Sequence, residues 1–442
     1  MQDGLPDTIY ARTVRESTRY PLLECRAEAE TVVIGGGLAG LSTAMSLAER
    51  GRSVVLLEAQ RVGFGASGRN GGFLSPSYPR SLDEIAADIG HDGAVALYGH
   101  AKDAVAWARG IITEYQINCG PHPENFLRIA WYDEPGQMQR TVEETNRKYG
   151  KGLVYLSRAE IAAMITSPHA FDGALETGGT QIQPLDYCRG LARAAGSRGA
   201  KIYEESPAQS LSKDKAGWIV ATPKGRVEAK HLVLCGGGYL GSLHPELANA
   251  TISVSTHIAA TEPLGAERLA RAIRVKHALH DTRRAGAYYR PLADTRLVWG
   301  GRLTLPWERG GNTAGAIKGW IEETYPVLGP VTMAVGWQGY MSFGRSRMVQ
   351  MGQLSDGAWF ANGFGGSGLG STAVAGRLLA QGITGESDEW RRFAPFALGW
   401  TGGPLGPLAA RTIYTGLRLA DWMQERRLGL VKSLTAGRRA RA

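Results

Sequence analysis

The sequence predicts an α/β fold that opens on a parallel βαβ unit, and three observations carry that reading. Thr31–Ile34 is a short β-branched apolar run, the composition of a buried strand. Leu38–Arg50 repeats apolar residues at helical spacing, with Leu41, Ala44, Met45 and Ala48 on one face and Gly51 placed to stop the helix. Ser53–Glu58 supplies the second strand, so strand, helix and strand follow within about thirty residues, the length of a βαβ unit.

The turn between the first strand and the helix reads Gly35-x-Gly37-x-x-Gly40. The first glycine permits the tight turn and the second admits a pyrophosphate close to the backbone of Leu38 and Ala39. The third lets helix and strand pack, and the helix N-terminus attracts phosphate charge. Gly36, Ala39 and Ala44 also keep the helix close to the sheet. Glu58 ends the second strand 23 positions after Gly35, where a carboxylate accepts ribose hydroxyls, with Ala59 beside it. These features together predict a dinucleotide site, and either a nicotinamide or a flavin dinucleotide satisfies them.

The next segment separates the two. Gly63–Gly72 reads GFGASGRNGG, a poor strand and a poor helix. Its glycines offer backbone donors, and Ser67, Arg69 and Asn70 add polar side chains expected to face something anionic or amide-like, ahead of Gly71 and Gly72. A surface loop has the same composition. Directly after the ribose carboxylate, however, a loop this rich in glycine is expected to cover an extended cofactor.

Further along, residues 81–118 read as helix and 141–166 as polar helix with short strand. Tyr187–Gly199 is an amphipathic helix, followed by strands at Lys201–Glu204, Trp218–Thr222 and His231–Cys235. Residues 251–301 are strand-rich, clearest at Ser253–Thr261 and Arg296–Gly300. A helix at Ser371–Gln381 follows the glycines of Gly363–Gly370, whose N–H groups and positive dipole end are expected to face a ligand. Residues 406–427 are helical and packed on the body. Residues 1–26 read as an irregular lead-in.

The chain has 442 residues, 43% of them hydrophobic, enough for more than one domain. Its 60 glycines cluster at 35–40, 63–72, 236–238 and 363–370, without a repeat. The net charge of +9 serves solubility, an anionic substrate or an anionic membrane surface. Lys432, Arg438, Arg439 and Arg441 place part of it in a C-terminal tail expected to fray. No RNA-binding signature or zinc-finger spacing supports a nucleic-acid partner. Cys25, Cys119, Cys188 and Cys235 form neither a disulfide framework nor a metal site. The N-terminus has no apolar signal region, and no apolar run is long enough to cross a membrane, so a cytoplasmic protein is expected, with peripheral membrane contact left open.

LEAQRVGFGASGRNGG resembles the segment that lines the FAD phosphates and the flavin in the D-amino-acid-oxidase-like flavoproteins, and is most similar to the γ-glutamylputrescine oxidase branch. GGTQIQPLDYCRGLARAAGSRGAKIYEES (178–206), AKHLVLCGGGYLGSL (229–243), HIAATEPL (257–264), AYYRPLADTRLVWGGR (287–302) and NGFGGSGLGSTAVAGRLLAQGITG (362–385) resemble further family segments in the same order. The resemblance implies a glutathione-reductase-like flavoprotein, α+β overall, in which a Rossmann-like FAD domain interleaves with a mixed-sheet substrate domain. The expected FAD domain is 27–85, 172–250 and 350–390; the substrate domain is 86–171 and 251–349, and 391–442 is a helical tail.

The resemblance further implies FAD contacts at Ala208, Gly236, Gly237, Gly363, Gly366, Ser367, Gly368 and Leu369. It implies oxidation of a small-molecule amine by hydride transfer to flavin N5. The imine would hydrolyse to an aldehyde and ammonia or an amine, and oxygen would reoxidise the flavin. A D-amino-acid or N-methyl-amino-acid dehydrogenase feeding a quinone is the alternative. Two departures bear on the substrate. The final glycine turn has Ser367 where relatives commonly have histidine, and Gly344, Ser346 and Val349 replace a Thr, Asp and Pro. No cysteine follows Cys235, so a late-cysteine flavin linkage is absent and the FAD is expected to be non-covalent. His257, Tyr289, Arg302 and Ser367 are the catalytic candidates, with Tyr288 and Arg290 beside them. A tyrosine wall would suit an amine and an arginine would suit a carboxylate. The same residues also serve as core edge or as a hydrogen-bonded structural histidine.

Overall fold

A computed structural model describes residues 4–304 and 312–439, the side chains of 302, 404 and 429–439 excepted. The chain divides into two compact units. The first comprises residues 1–122, 181–255 and 338–406, and the second 123–180, 256–337 and 407–442.

The first unit is built on the strand Arg26–Ile34. On one side it pairs in parallel with Val54–Leu57, which pairs in parallel with Lys201–Tyr203. On the other side it pairs in parallel with Arg226–Leu234, followed by Trp359–Asn362 and, antiparallel at the edge, Gln350–Gln353. The residues of Val54–Leu57 and Trp359–Asn362 are all buried, the pattern of a sheet covered on both faces. The helix Leu38–Glu49 covers this sheet, and the later helix Gly368–Thr384 packs on it. A Cβ at Gly376 would collide with Ser42 and with the backbone at Thr43, so these helices approach to backbone contact there.

The helix Leu82–Glu114 also belongs to this unit, whereas the expected boundary put 86–122 in the second domain. It packs on Gly368–Thr384, and its buried residues include Leu97, Ala101, Ala104 and Ala108. That packing partner lies some 270 positions away in sequence. The lead-in was expected to be irregular. It contains a short helix, Ile9–Arg12, because Thr8 accepts a hydrogen bond from Ala11 N at 2.9 Å.

The second unit holds a mixed sheet. Ala278–Asp281 runs parallel to Glu124–Ile129 and antiparallel to Tyr288–Pro291, which pairs antiparallel with Leu297–Thr304. Its core gathers Leu127, Ile161, Leu279, Trp299, Ile317 and Tyr325. The C-terminal helix Gly406–Arg439 is no separate tail. Asp421 is buried and accepts from Tyr132 Oη at 3.2 Å and Ala285 N at 2.9 Å, both in this unit. The backbone stays helical through Arg439 where fraying was expected.

Candidate active site

The glycine turn after Arg26–Ile34 is shaped as its spacing requires. Gly35 has φ +111°, and a Cβ there would lie 2.7 Å from the Cys235 carbonyl oxygen. A Cβ at Gly40 would run into the Gly35 carbonyl. Leu38 and Ala39 are buried beneath the turn. Gly37 caps the helix without a side chain, and Ser67 Oγ accepts from Leu38 N at 2.9 Å, so the 63–72 loop meets the helix N-terminus. A Cβ at Gly37 would lie 2.9 Å from that hydroxyl.

Glu58 closes the neighbouring strand. One carboxylate oxygen accepts from Gly36 N at 2.6 Å and the other from Gln60 N at 2.8 Å. A carboxylate offers about four acceptor sites, so these N–H groups and that of Ala59 leave it capacity for a hydroxyl donor. Burial pushes its pKa up, against the pull of the Gln60 and Gly36 N–H groups. Ala59 is exposed, and Ala208 is partly buried against the sheet core.

Ser67, Arg69 and Asn70, expected to face something anionic or amide-like, all have hydrogen-bond partners within the protein. Asn70 Nδ2 donates to Ser67 O at 2.8 Å, and its Oδ1 accepts from Gly72 N at 2.9 Å, so Asn70 fixes the loop itself while Gly71 and Gly72 are buried. Arg69 donates through Nε to Phe64 O at 2.6 Å and through Nη1 to Gln338 O at 2.9 Å. Its guanidinium lies 4.7 Å from the Phe64 ring centroid and 5.9 Å from that of Tyr239. Tyr239 follows Gly236, Gly237 and Gly238; it packs on Tyr340 with centroids 5.3 Å apart and accepts from Tyr340 N at 3.0 Å. Phe64, Arg69, Tyr239 and Tyr340 thus form one cluster on the loop, in which Tyr239 is 38% exposed.

The glycines of the final turn divide into two kinds. Gly363 has φ +72° and donates to Ser342 Oγ at 3.2 Å. A Cβ at Gly370 would strike the Ser75 carbonyl oxygen. Protein packing explains both. Gly366 is exposed, its φ lies outside the left-handed region, and among the described residues a Cβ there would meet no atom within 4 Å. Gly368 is nearly as open, with Phe364 Cβ at 3.8 Å, while Leu369 is buried. Ser367 stands at the helix N-cap without a capping side-chain bond, and its carbonyl accepts from Ser371 Oγ at 2.7 Å.

In the second unit, His257 and Tyr289 are engaged within the protein. His257 is 1% exposed, with Nδ1 2.8 Å from Thr313 Oγ1 and Nε2 2.6 Å from Thr304 Oγ1. Both ring nitrogens have threonine hydroxyl partners, the surroundings of a structural histidine. Tyr289 is buried, stacks on Trp299 with centroids 3.8 Å apart, and shares a 2.7 Å hydrogen bond with Tyr325 Oη. Burial pushes both phenols further up. Tyr289 is core. Arg290 is 5% exposed, and Tyr288 lies across Gly300 of the paired strand. Arg302 sits in the strand Leu297–Thr304, but its side chain lies outside the described residues.

Residues 30–382 match the family model described as FAD dependent oxidoreductase. The chain belongs to that family. It is 32% identical over 429 residues to the γ-glutamylputrescine oxidoreductase of Escherichia coli K12, covering 95% of this chain and 98% of that protein. It is 27% identical to the probable oxidoreductase OrdL of Haemophilus influenzae, over 86% of this chain and 88% of that one. Among solved structures, glycine oxidase from Geobacillus kaustophilus aligns with TM-score 0.69 at 20% identity, over 84% of this chain and 99% of the other. L-Proline dehydrogenase from P. horikoshii aligns with TM-score 0.70 at 18% identity, over 85% and 100%. These share the fold, that of the D-amino-acid-oxidase-type flavoproteins.

In this FAD dependent oxidoreductase Glu58 retains acceptor capacity at the end of its strand, and among the described residues no atom crowds Gly366. Cys235 lies behind Gly35 and is buried, and burial pushes its thiol up to about 12. Sequence reasoning did not single out Phe64, Tyr239 or Tyr340 for this site. Tyr239 had a readable signal, an aromatic placed directly after three glycines.

Proposed function

We propose that the chain oxidises the C–N bond of a primary or secondary amine whose far end carries a carboxylate, of the γ-glutamylputrescine type. The 32% identity over nearly the full length of a γ-glutamylputrescine oxidoreductase carries this reading. The aromatic cluster of Phe64, Tyr239 and Tyr340 supports it, since it offers aromatic faces to an amine beside the glycine-rich loop.

Bound FAD would supply the hydride acceptor. Glu58 would hold the adenosine ribose through its remaining lone pairs, and the Gly35–Gly40 turn would set the pyrophosphate at the helix N-terminus. The N-terminal end of Gly368–Thr384 would place its positive dipole end where negative charge develops, with Gly366 leaving the room to do so. His257 and Tyr289 are committed to internal hydrogen bonds, so neither takes a proton from substrate. That fits an amine that arrives neutral and needs no protein base at the transfer step. The buried thiol of Cys235 is a poor nucleophile, which supports a non-covalent cofactor.

Anaerobic bleaching of the flavin by a panel of amines tests the reading. γ-Glutamylputrescine is expected to bleach it faster than putrescine, glycine, sarcosine or D-alanine. Bleaching by the amino acids alone would overturn the substrate class. Acid precipitation is expected to leave the yellow colour in the supernatant.

A further inference from the structure

We propose that the C-terminal helix Gly406–Arg439 is an interfacial anchor that lays the protein on an anionic lipid bilayer. One face of this helix is fastened within its own unit. Tyr414 Oη donates to Gly301 O at 3.3 Å, Asp421 accepts from Tyr132 and Arg284, and Gln424 accepts from Arg284 Nη1 at 2.7 Å. Residues 414, 417, 421, 424 and 428 recur at helical spacing and mark that inner face. Leu408, Thr412, Thr415, Leu419, Met423 and Arg426 recur at the same spacing on the opposite face, with Trp422 beside them.

The outer face is apolar at its centre. Leu408 is 54% exposed, and Leu419, Trp422 and Met423 are each 52% exposed; Ile413, on its flank, is 64% exposed. Arg411 and Arg418 line one edge and Arg427 the other, and Arg426 lies 5.0 Å from the Trp422 ring centroid. An apolar stripe edged by arginines and carrying a tryptophan suits the boundary between headgroups and acyl chains. Among the described residues no helix is long and apolar enough to cross a membrane, so this helix would lie on the surface.

Charge selects the occupant. Residues 406–442 carry eight arginines and lysines against two acidic residues, six of the chain's nine net positive charges. One of those acids, Asp421, is buried in the inner face, which leaves Glu425. A second copy brought to this face would set like charges against each other, whereas anionic lipid complements them. The inference is independent of the substrate proposed above.

Full-length holoenzyme sedimented with phosphatidylcholine vesicles, with and without phosphatidylglycerol, tests it directly. Binding is expected on the anionic vesicles at low salt, at least tenfold weaker on neutral ones, and lost at about 0.5 M salt. Each arginine near such a surface contributes roughly fivefold in partition. Arg411→Glu/Arg418→Glu/Arg426→Glu is therefore expected to abolish sedimentation, and so is Leu419→Glu/Trp422→Glu. Both variants are expected to keep flavin content, melting temperature and the rate of flavin reduction. Equal partition onto neutral and anionic vesicles, or failure of the wild-type protein to sediment, overturns the proposal. So does a wild-type dimer that Leu419→Glu/Trp422→Glu converts to monomer without any vesicle binding, because the face then belongs to a second copy.

Discussion

The glycine turns of the first unit and the tyrosine-rich strands of the second treat their polar groups in opposite ways. Glu58 accepts backbone N–H groups on both oxygens and keeps acceptor capacity at the end of its strand. Gly366, two residues before the helix Gly368–Thr384, has open space at its Cβ position among the described residues. In the second unit, Tyr289 and Tyr325 bond to each other under Trp299, and His257 is held at both nitrogens by Thr304 and Thr313. The difference teaches that a residue type capable of chemistry marks a site only where its polar atoms retain capacity and the packing leaves room. Polar atoms fully used inside a core build stability and specify the sheet.

Variants in the two regions should therefore separate stability from cofactor binding. The largest expected effect is Trp299→Ala, which opens a cavity beneath Tyr289 and Tyr325 and should cost about 3–5 kcal/mol of stability. Denaturant unfolding followed by tryptophan fluorescence checks it, and FAD affinity of the folded fraction should not change. Glu58→Ala should do the reverse. FAD binding should weaken by about 10–100-fold, as expected when hydrogen bonds to a charged acceptor are lost. The rate of flavin reduction at saturating FAD should stay within about twofold, because the group acts equally in ground and transition states. Flavin titration of the apoprotein and stopped-flow reduction measure the two quantities. The smallest effect is Tyr325→Phe, which removes the Tyr289 partner and should cost about 1 kcal/mol of stability with no change in reduction rate. A reduction rate that falls with Tyr325→Phe would bring the tyrosine pair back into the chemistry.

Much of the βαβ part of the first unit was legible because its signals are local. The βαβ unit shows in the periodicity of Leu38–Glu49 and the apolar strands on either side, and Glu58 shows in its place at a strand end. Long-range packing hid the rest. The helix Leu82–Glu114 gave no sign of which unit it joins, because Gly368–Thr384, its packing partner, is distant in the chain. Arg69 read as a ligand contact, yet its Nε and Nη1 donate to carbonyls of Phe64 and Gln338, and the second of these is remote in sequence. His257 read as a catalytic candidate because the threonines that satisfy it, Thr304 and Thr313, lie some fifty residues on. A run of glycines also reads the same whether each one relieves a clash or makes room for a ligand. Only the placed neighbours separate Gly370, which abuts the Ser75 carbonyl, from Gly366, which no atom of the described residues crowds.

That separation gives the most direct measurement: the FAD affinity and the apoprotein melting temperature of Gly366→Val beside Gly370→Val. Gly366→Val is expected to leave the apoprotein melting temperature unchanged, to weaken FAD binding at least tenfold and to slow flavin reduction in whatever holoenzyme forms. Gly370→Val is expected to lower the melting temperature of the apoprotein itself. A Gly366→Val apoprotein that melts early, while its folded fraction binds FAD with wild-type affinity and is reduced at the wild-type rate, would contradict the assignment of this turn to the cofactor.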